Sequence, residues 1–217
     1  MTSPANASAT AVLLTGAAVL LVYDLGHFST HMVLHIASMN IIAPSVAALI
    51  VTRRHIGGTR PFWLWTATFL QIVLLWTWHS PAVYDLLLRS PGAGLTFHAT
   101  LLLAALFFWL SLLTTSAASR WQTIPALLLT GKLTCLLAAL LIFAPRTLYG
   151  VAGHLGDAPE HFSLFHALED QHLAGLLMIT ACPMSYLVAA VIITVQLITR
   201  AETSAASMPD GRLLIGH

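Results

Sequence analysis

Residues 27–51 read HFSTHMVLHIASMNIIAPSVAALIV. The second half of this stretch is soluble in lipid, and the first half carries His27, His31, His35, Met32 and Met39. The whole run is longer than the roughly 20 residues that cross the hydrocarbon core of a bilayer as a helix. A membrane helix with imidazoles at its mouth is therefore the first element to be read. The rest of the chain asks for the same solvent.

The chain is 58% hydrophobic and 8% charged, with a mean hydropathy of +0.84. That composition excludes a water-soluble domain. In lipid every backbone polar group must be satisfied within its own helix or within a closed barrel. Long uninterrupted apolar runs favour helices, so the expectation is an all-α, polytopic membrane helix bundle of about six transmembrane helices. The spans are expected at approximately 5–24, 29–51, 62–80, 95–115, 121–144 and 166–199, forming a single transmembrane domain over 1–217. The breaks between them are TRRHIGGTRP, HSPAVYDLLLRSPGAG, TTSAASRW and the long polar segment APRTLYGVAGHLGDAPEHFSLFHALEDQH. The last apolar segment is too long for one upright crossing, and Pro183 is a candidate kink within it. Residues 1–10 lack lysine and arginine, so a cleaved signal is not expected and the first run should remain as a helix.

A net charge of +1 gives no footing for a nucleic-acid partner. Cys135 and Cys182 lie inside apolar runs without a CxxC, which excludes a disulfide framework and a zinc ribbon.

Basic residues set the expected orientation. With the TRRHIGGTR loop in the cytoplasm, Arg53, Arg54, Arg60, Arg120, Arg200 and Arg212 are inside, as are both termini, and Arg89 and Arg146 are outside. Lys132 falls nearer the inner end of the fifth span, where its stem can snorkel. The histidines then segregate. His55 and His217 are inside, whereas His27, His31, His35, His79, His98, His154, His161, His166 and His172 are at the outer side, together with Asp24, Asp85, Asp157, Glu160, Glu169 and Asp170. Ligand-type chemistry is gathered on one membrane face.

His31 and His35 are four apart and share a helix face, with Met39 one turn deeper. A helix cap at Ser29 or Thr30 would leave His27 in the preceding loop. Imidazole suits copper and zinc, and thioether favours Cu(I). The plainer alternative is a pair of interfacial histidines hydrogen-bonded to neighbouring helices, with Met32 and Met39 filling gaps. The spacing resembles HExxH, but Met32 stands where the glutamate base belongs, so peptidase chemistry is rejected. His79 ends the third span in LLWTWHSPAVYD, where Trp76 and Trp78 read as interface anchors and Pro81 stops the helix. His98 lies in the first turn of the fourth span, so four histidines could meet at one level. In HFSLFHALEDQH, His166 and Asp170 are i,i+4 and Glu169 and His172 are i,i+3. Such carboxylates act as co-ligands or fix an imidazole tautomer, or they simply favour a helix N-terminus. Asp170 and His172 are the members expected to be functional. Cys182 and Met184 could together hold Cu(I), with packing the plainer role. No phosphate loop or catalytic triad is present.

HMVLHIASMNIIAP, WTWHSPAVYDLLL, FHATLLLAALFFW, FAPRTLYG, EDQHLAGLLM and CPMSYLVAA occur in this order. Together these blocks resemble the CtaG family, bacterial membrane proteins implicated in assembly of heme-copper cytochrome c oxidase. The likeness runs over roughly residues 20–195. It maps His31, Met32 and His35 to the first block, His79 and Asp85 to the second, His98 to the third, and Asp170 and Gln171 to the last. His172 and Ala174 depart from the family pattern. The resemblance implies a non-enzymatic copper-handling assembly factor in the bacterial cytoplasmic (inner) membrane. Its partners would be heme-copper oxidase subunits and a periplasmic copper donor, and copper would be loaded from the outer face. The expected metal set is His27, His31, His35, His79, His98, Met39, Asp170 and His172. The alternative is a b-type heme protein with bis-histidine ligation, His35 facing His79 or His98. A metal or proton transporter ranks last, because the inner halves of the spans are nearly bare of ionisable groups.

Overall fold

A computed structural model of the chain describes residues 26–54, 56, 58–84, 91–149 and 160–206. The expected span at 5–24, and with it Asp24, Asp85, His55, His154 and His217, lies outside the described residues. The described elements are helical: α1 His27–Ala37, a π turn Ser38–Ile42, α2 Ala43–Arg54, α3 Pro61–Trp78, α4 Pro91–Thr114, a 3-10 turn Ala117–Gln122, α5 Thr123–Phe143 and α6 Glu160–Ala206.

Among the described residues, four segments are long and apolar enough to cross a membrane: Phe28–Arg54, Gly92–Thr114, Ala117–Phe143 and His166–Ser204. The 18-residue α3 carries four tryptophans and Gln71, which keep it outside that set. Large apolar side chains such as Leu49, Phe69, Val73, Leu103, Phe143 and Val195 face outward. An exposed apolar surface of this kind is what hydrocarbon requires and water penalises. The chain is a membrane protein.

Round the bundle the rods follow one another as α1–α2, α4, α3, α5 and α6, which returns to pack on α1. Phe97, Phe108, Met32, Leu64, Leu101 and Met178 fill the interior. At one end Thr59 N–H donates to Thr114 O at 2.7 Å and Ser116 N–H to Thr59 O at 3.2 Å. There Trp65 Nε1 also reaches Gln122 Oε1 at 2.8 Å and Arg120 reaches Gln196 Oε1 at 3.2 Å. Arg53 and Arg54 end α2 and Arg60 caps α3, so the arginine-rich ends lie together. The histidine-bearing ends of α1, α3 and α4 are therefore at the opposite end.

The π turn has a local cause. Pro44 has no N–H to donate and its ring would clash with the carbonyl four residues back. The helix widens by one residue, so that Ala43 N–H donates to Ser38 O. This frees the Met39 carbonyl, and Trp109 Nε1 takes it at 3.0 Å. One proline thus pins α4 to the rod that carries His31 and His35. α6 runs as one helix through Pro183. Gly175 lets it approach α5 closely: a Cβ there would meet Ile142 Cγ1 at 2.8 Å and Ala138 O at 3.2 Å, the use of small residues expected between membrane helices.

Candidate functional site

α1 begins earlier than a Ser29 or Thr30 cap would allow. Gly26 is the cap residue and has no side chain of its own to cap the helix. The cap comes from α6: Phe28 N–H donates to Asp170 Oδ2 at 2.8 Å and Ser29 N–H to Asp170 Oδ1 at 3.0 Å. The Ser29 hydroxyl also contacts Oδ1. Because the orphan donors of the first turn find this carboxylate, the helix extends back to His27. The carboxylate lies against Gly26, where a Cβ would overlap it. The neighbouring Gln171 is buried. It accepts from Leu148 N–H at 2.8 Å and donates to Leu141 O at 3.2 Å. Asp170 and Gln171 together fasten α1, the end of α5 and the segment after it to α6.

This fastening aims the histidines of α1 at those of α3 and α4. The rings of His31 and His98 are 4.7 Å apart between centroids, and those of His35 and His79 are 5.4 Å apart. Phe97 stands among them, with centroid separations of 4.5 Å to His31, 4.9 Å to His98, 6.0 Å to His79 and 6.1 Å to His35. His35 and His79 are 1% and 4% exposed; His31 and His98 are half-buried. Among the described residues no three His, Cys, Asp or Glu side chains are arranged to hold one metal ion. The four imidazoles form two pairs.

The tautomer of His79 follows from its neighbours. Nδ1 is 2.7 Å from Leu75 O, an acceptor only. Nδ1 therefore carries the hydrogen and Nε2 keeps the lone pair. That Nε2 is buried without a hydrogen-bond partner, as is His35 Nδ1. Buried polar atoms are normally satisfied, so two orphan ring nitrogens on neighbouring imidazoles fit a ligand that supplies the missing bond. A backbone carbonyl behind the far nitrogen is also the arrangement that orients metal-binding histidines.

Over the histidines sits an aromatic cluster. Phe28, Tyr84 and Tyr149 lie 4.5–5.5 Å apart, Tyr84 meets His31 at 5.9 Å, and the Tyr149 hydroxyl donates to His79 O at 2.9 Å. Burial first, and the Asp170 carboxylate second, push the Tyr84 phenol up to about 12. Burial, and then Tyr84, raise Tyr149 as well. Both phenols stay neutral.

The remaining candidates sit elsewhere. Asp170 has both oxygens committed to α1. His172 is half-buried with an unpartnered Nε2 on α6, beside the latch. Met39 is 3% exposed in the apolar core one turn below His35. Of His27 the structure describes the backbone alone. His166 pairs with Glu169 at 3.4 Å on the exposed surface and not with Asp170, which is turned to α1. Cys182 is buried while Met184 is 58% exposed, so this thiol and thioether point to different surroundings; Asn40 Nδ2 donates to Cys182 Sγ at 3.4 Å. Sequence reasoning did not single out Phe97, Tyr84 or Tyr149, although each lies within a quoted block, Phe97 next to His98 and Tyr84 next to Asp85.

The architecture is that of an integral membrane helical protein with a histidine-lined interior at one end. The family model for the cytochrome c oxidase caa3 assembly factor (Caa3_CtaG) matches residues 59–200, about two thirds of the chain. The protein belongs to that family of assembly factors. No curated protein and no solved structure matches it.

Proposed function

We propose that this chain binds copper near the extracytoplasmic face of the bacterial cytoplasmic membrane and passes it to a heme-copper oxidase subunit. Copper is cargo, accepted from a periplasmic donor, and the chain is a chaperone and not an enzyme. The observation that carries the reading is the pair of buried nitrogens, His35 Nδ1 and His79 Nε2, that lack hydrogen-bond partners on rings 5.4 Å apart between centroids. His31 and His98 complete the set of ligands, and the clustering of arginines at the far end supports an orientation with the histidines outward and both termini in the cytoplasm. Asp170 enters as a positioning residue, through its hold on α1. Exchangeable ligands suit delivery better than a closed tetrahedral site.

The alternative, a b-type heme between two histidines, is disfavoured by Phe97, whose ring lies among all four imidazoles. Metal analysis and a visible spectrum of protein purified without a histidine tag test the reading. Copper bound without a Soret band is expected, with less copper per chain in His35→Ala and His79→Ala at normal membrane abundance. A Soret band, or no copper after anaerobic loading with Cu(I), overturns it.

A further inference from the structure

We propose that the four histidines are two successive two-coordinate Cu(I) stations: His31 and His98 take the ion from outside, and His35 and His79 hold it within. The inference rests on the copper reading above and goes beyond it in the number, order and oxidation state of the sites.

The pairing is a matter of geometry. Each pair has its rings 4.7 or 5.4 Å apart, and no third His, Cys, Asp or Glu joins either pair among the described residues. A metal–imidazole bond is about 2.0–2.1 Å, so one ion spans two nitrogens up to about 4 Å apart, a separation that rings at these centroid distances can reach. Phe97 lies in contact range of every ring and is fully buried, which keeps the two pairs from closing on a single ion. Chemistry then selects the cargo. Zn2+ takes three or four protein ligands, and a doubly charged ion with two neutral ligands would be poorly compensated in an apolar interior. Cu(I) carries one charge and accepts two nitrogen donors in line. The ion moves between stations as Cu(I), so no electron is exchanged.

Exposure sets the direction. His31 and His98 are half-buried, and His35 and His79 are closed to solvent. His31 and His35 share one face of α1 a single turn apart, so the ion passes to a neighbouring ligand without leaving that helix. The Nδ1 hydrogen bond of His79 to Leu75 O fixes the inner ring with its lone pair available, which suits the inner pair to holding and the outer pair to capture.

The test is anaerobic Cu(I) titration of the full chain in detergent against a chromogenic chelator. Two ions per chain are expected for the wild type. His79→Ala and His98→Ala should each retain one, and the double variant none. In His98→Ala the remaining ion should load more slowly, with unchanged affinity. Should His79→Ala fail to elute as a single species, His79→Asn replaces it; its amide can donate to Leu75 O but lacks the second ring nitrogen. One ion in the wild type, lost entirely in either single variant, overturns the two-station arrangement while the copper reading stands. No ion in the wild type overturns both.

Discussion

Asp170, on α6, caps α1 from across the bundle, accepting from the backbone N–H groups of Phe28 at 2.8 Å and Ser29 at 3.0 Å. A single carboxylate thus sets where the histidine-bearing helix begins and how it faces α3 and α4. Loss of a capping side chain costs about 0.5–2 kcal/mol, and partly buried bonds to a charged acceptor lie at the upper end. Asp170→Ala should lower the thermal midpoint of the detergent-solubilised protein and reduce copper binding, whereas Asp170→Asn should retain part of both. Full stability and full copper in Asp170→Ala would remove the latch from the account.

Gly175 is tested by the smallest addition. In Gly175→Ala the new Cβ would lie 2.8 Å from Ile142 Cγ1 and 3.2 Å from both Ala138 O and Leu141 Cβ. Ile142 can give way, but the Ala138 carbonyl belongs to the α5 backbone. Overpacking of this kind costs about 1–3 kcal/mol. A lower thermal midpoint and less protein in the membrane are expected, with the copper stoichiometry of the surviving fraction unchanged.

His31→Ala and His35→Ala separate ligation from packing. If the rings are ligands, each variant accumulates in the membrane but loses the copper its own pair would hold, and oxidase activity in the cell falls with it. If they only fill space, the buried His35 should cost stability through its cavity, roughly 1–3 kcal/mol, and copper should persist in whatever protein remains. Membrane abundance, bound copper and oxidase activity, measured together, distinguish the two.

Alkaline pH probes the aromatic cluster over the site. A phenol in the unfolded chain ionises near about 10, while the Tyr84 phenol is pushed up to about 12. Below pH 10 both states are neutral and the stability is complete. As pH rises from 10 towards 12 the unfolded chain loses its proton first, and the folded state loses stability. The thermal midpoint should therefore drop across that window, and less steeply in Tyr84→Phe. An identical slope in the two proteins would show that Tyr84 is not held in its neutral form.

The all-α membrane architecture was legible from composition alone, because length and apolarity decide whether a segment can cross hydrocarbon. The breaks at 55–60, 79–90 and 115–121 came from arginine, proline and small polar residues that cannot stay in the bilayer core. The facing of His31 and His35 followed from helical periodicity, and the gathering of histidines at one end followed from the order of the spans. The start of α1 did not follow, since its cap is Asp170, 141 residues from Ser29 in sequence. Nor could spacing reveal that His166 pairs with Glu169 while Asp170 turns away, or that Cys182 faces the core and Met184 does not.

What the sequence by itself determined is therefore the solvent, the helices and the end of the bundle where the ligands lie, all properties of single segments measured against a bilayer. What only the tertiary structure decided is the pairing of His31 with His98 and of His35 with His79 about Phe97. That pairing depends on which helices are neighbours and how each is rotated. Both are set by contacts between distant residues: the Asp170 cap on α1, the Gly175 approach of α6 to α5, and the Trp109 bond to the Met39 carbonyl that Pro44 leaves free.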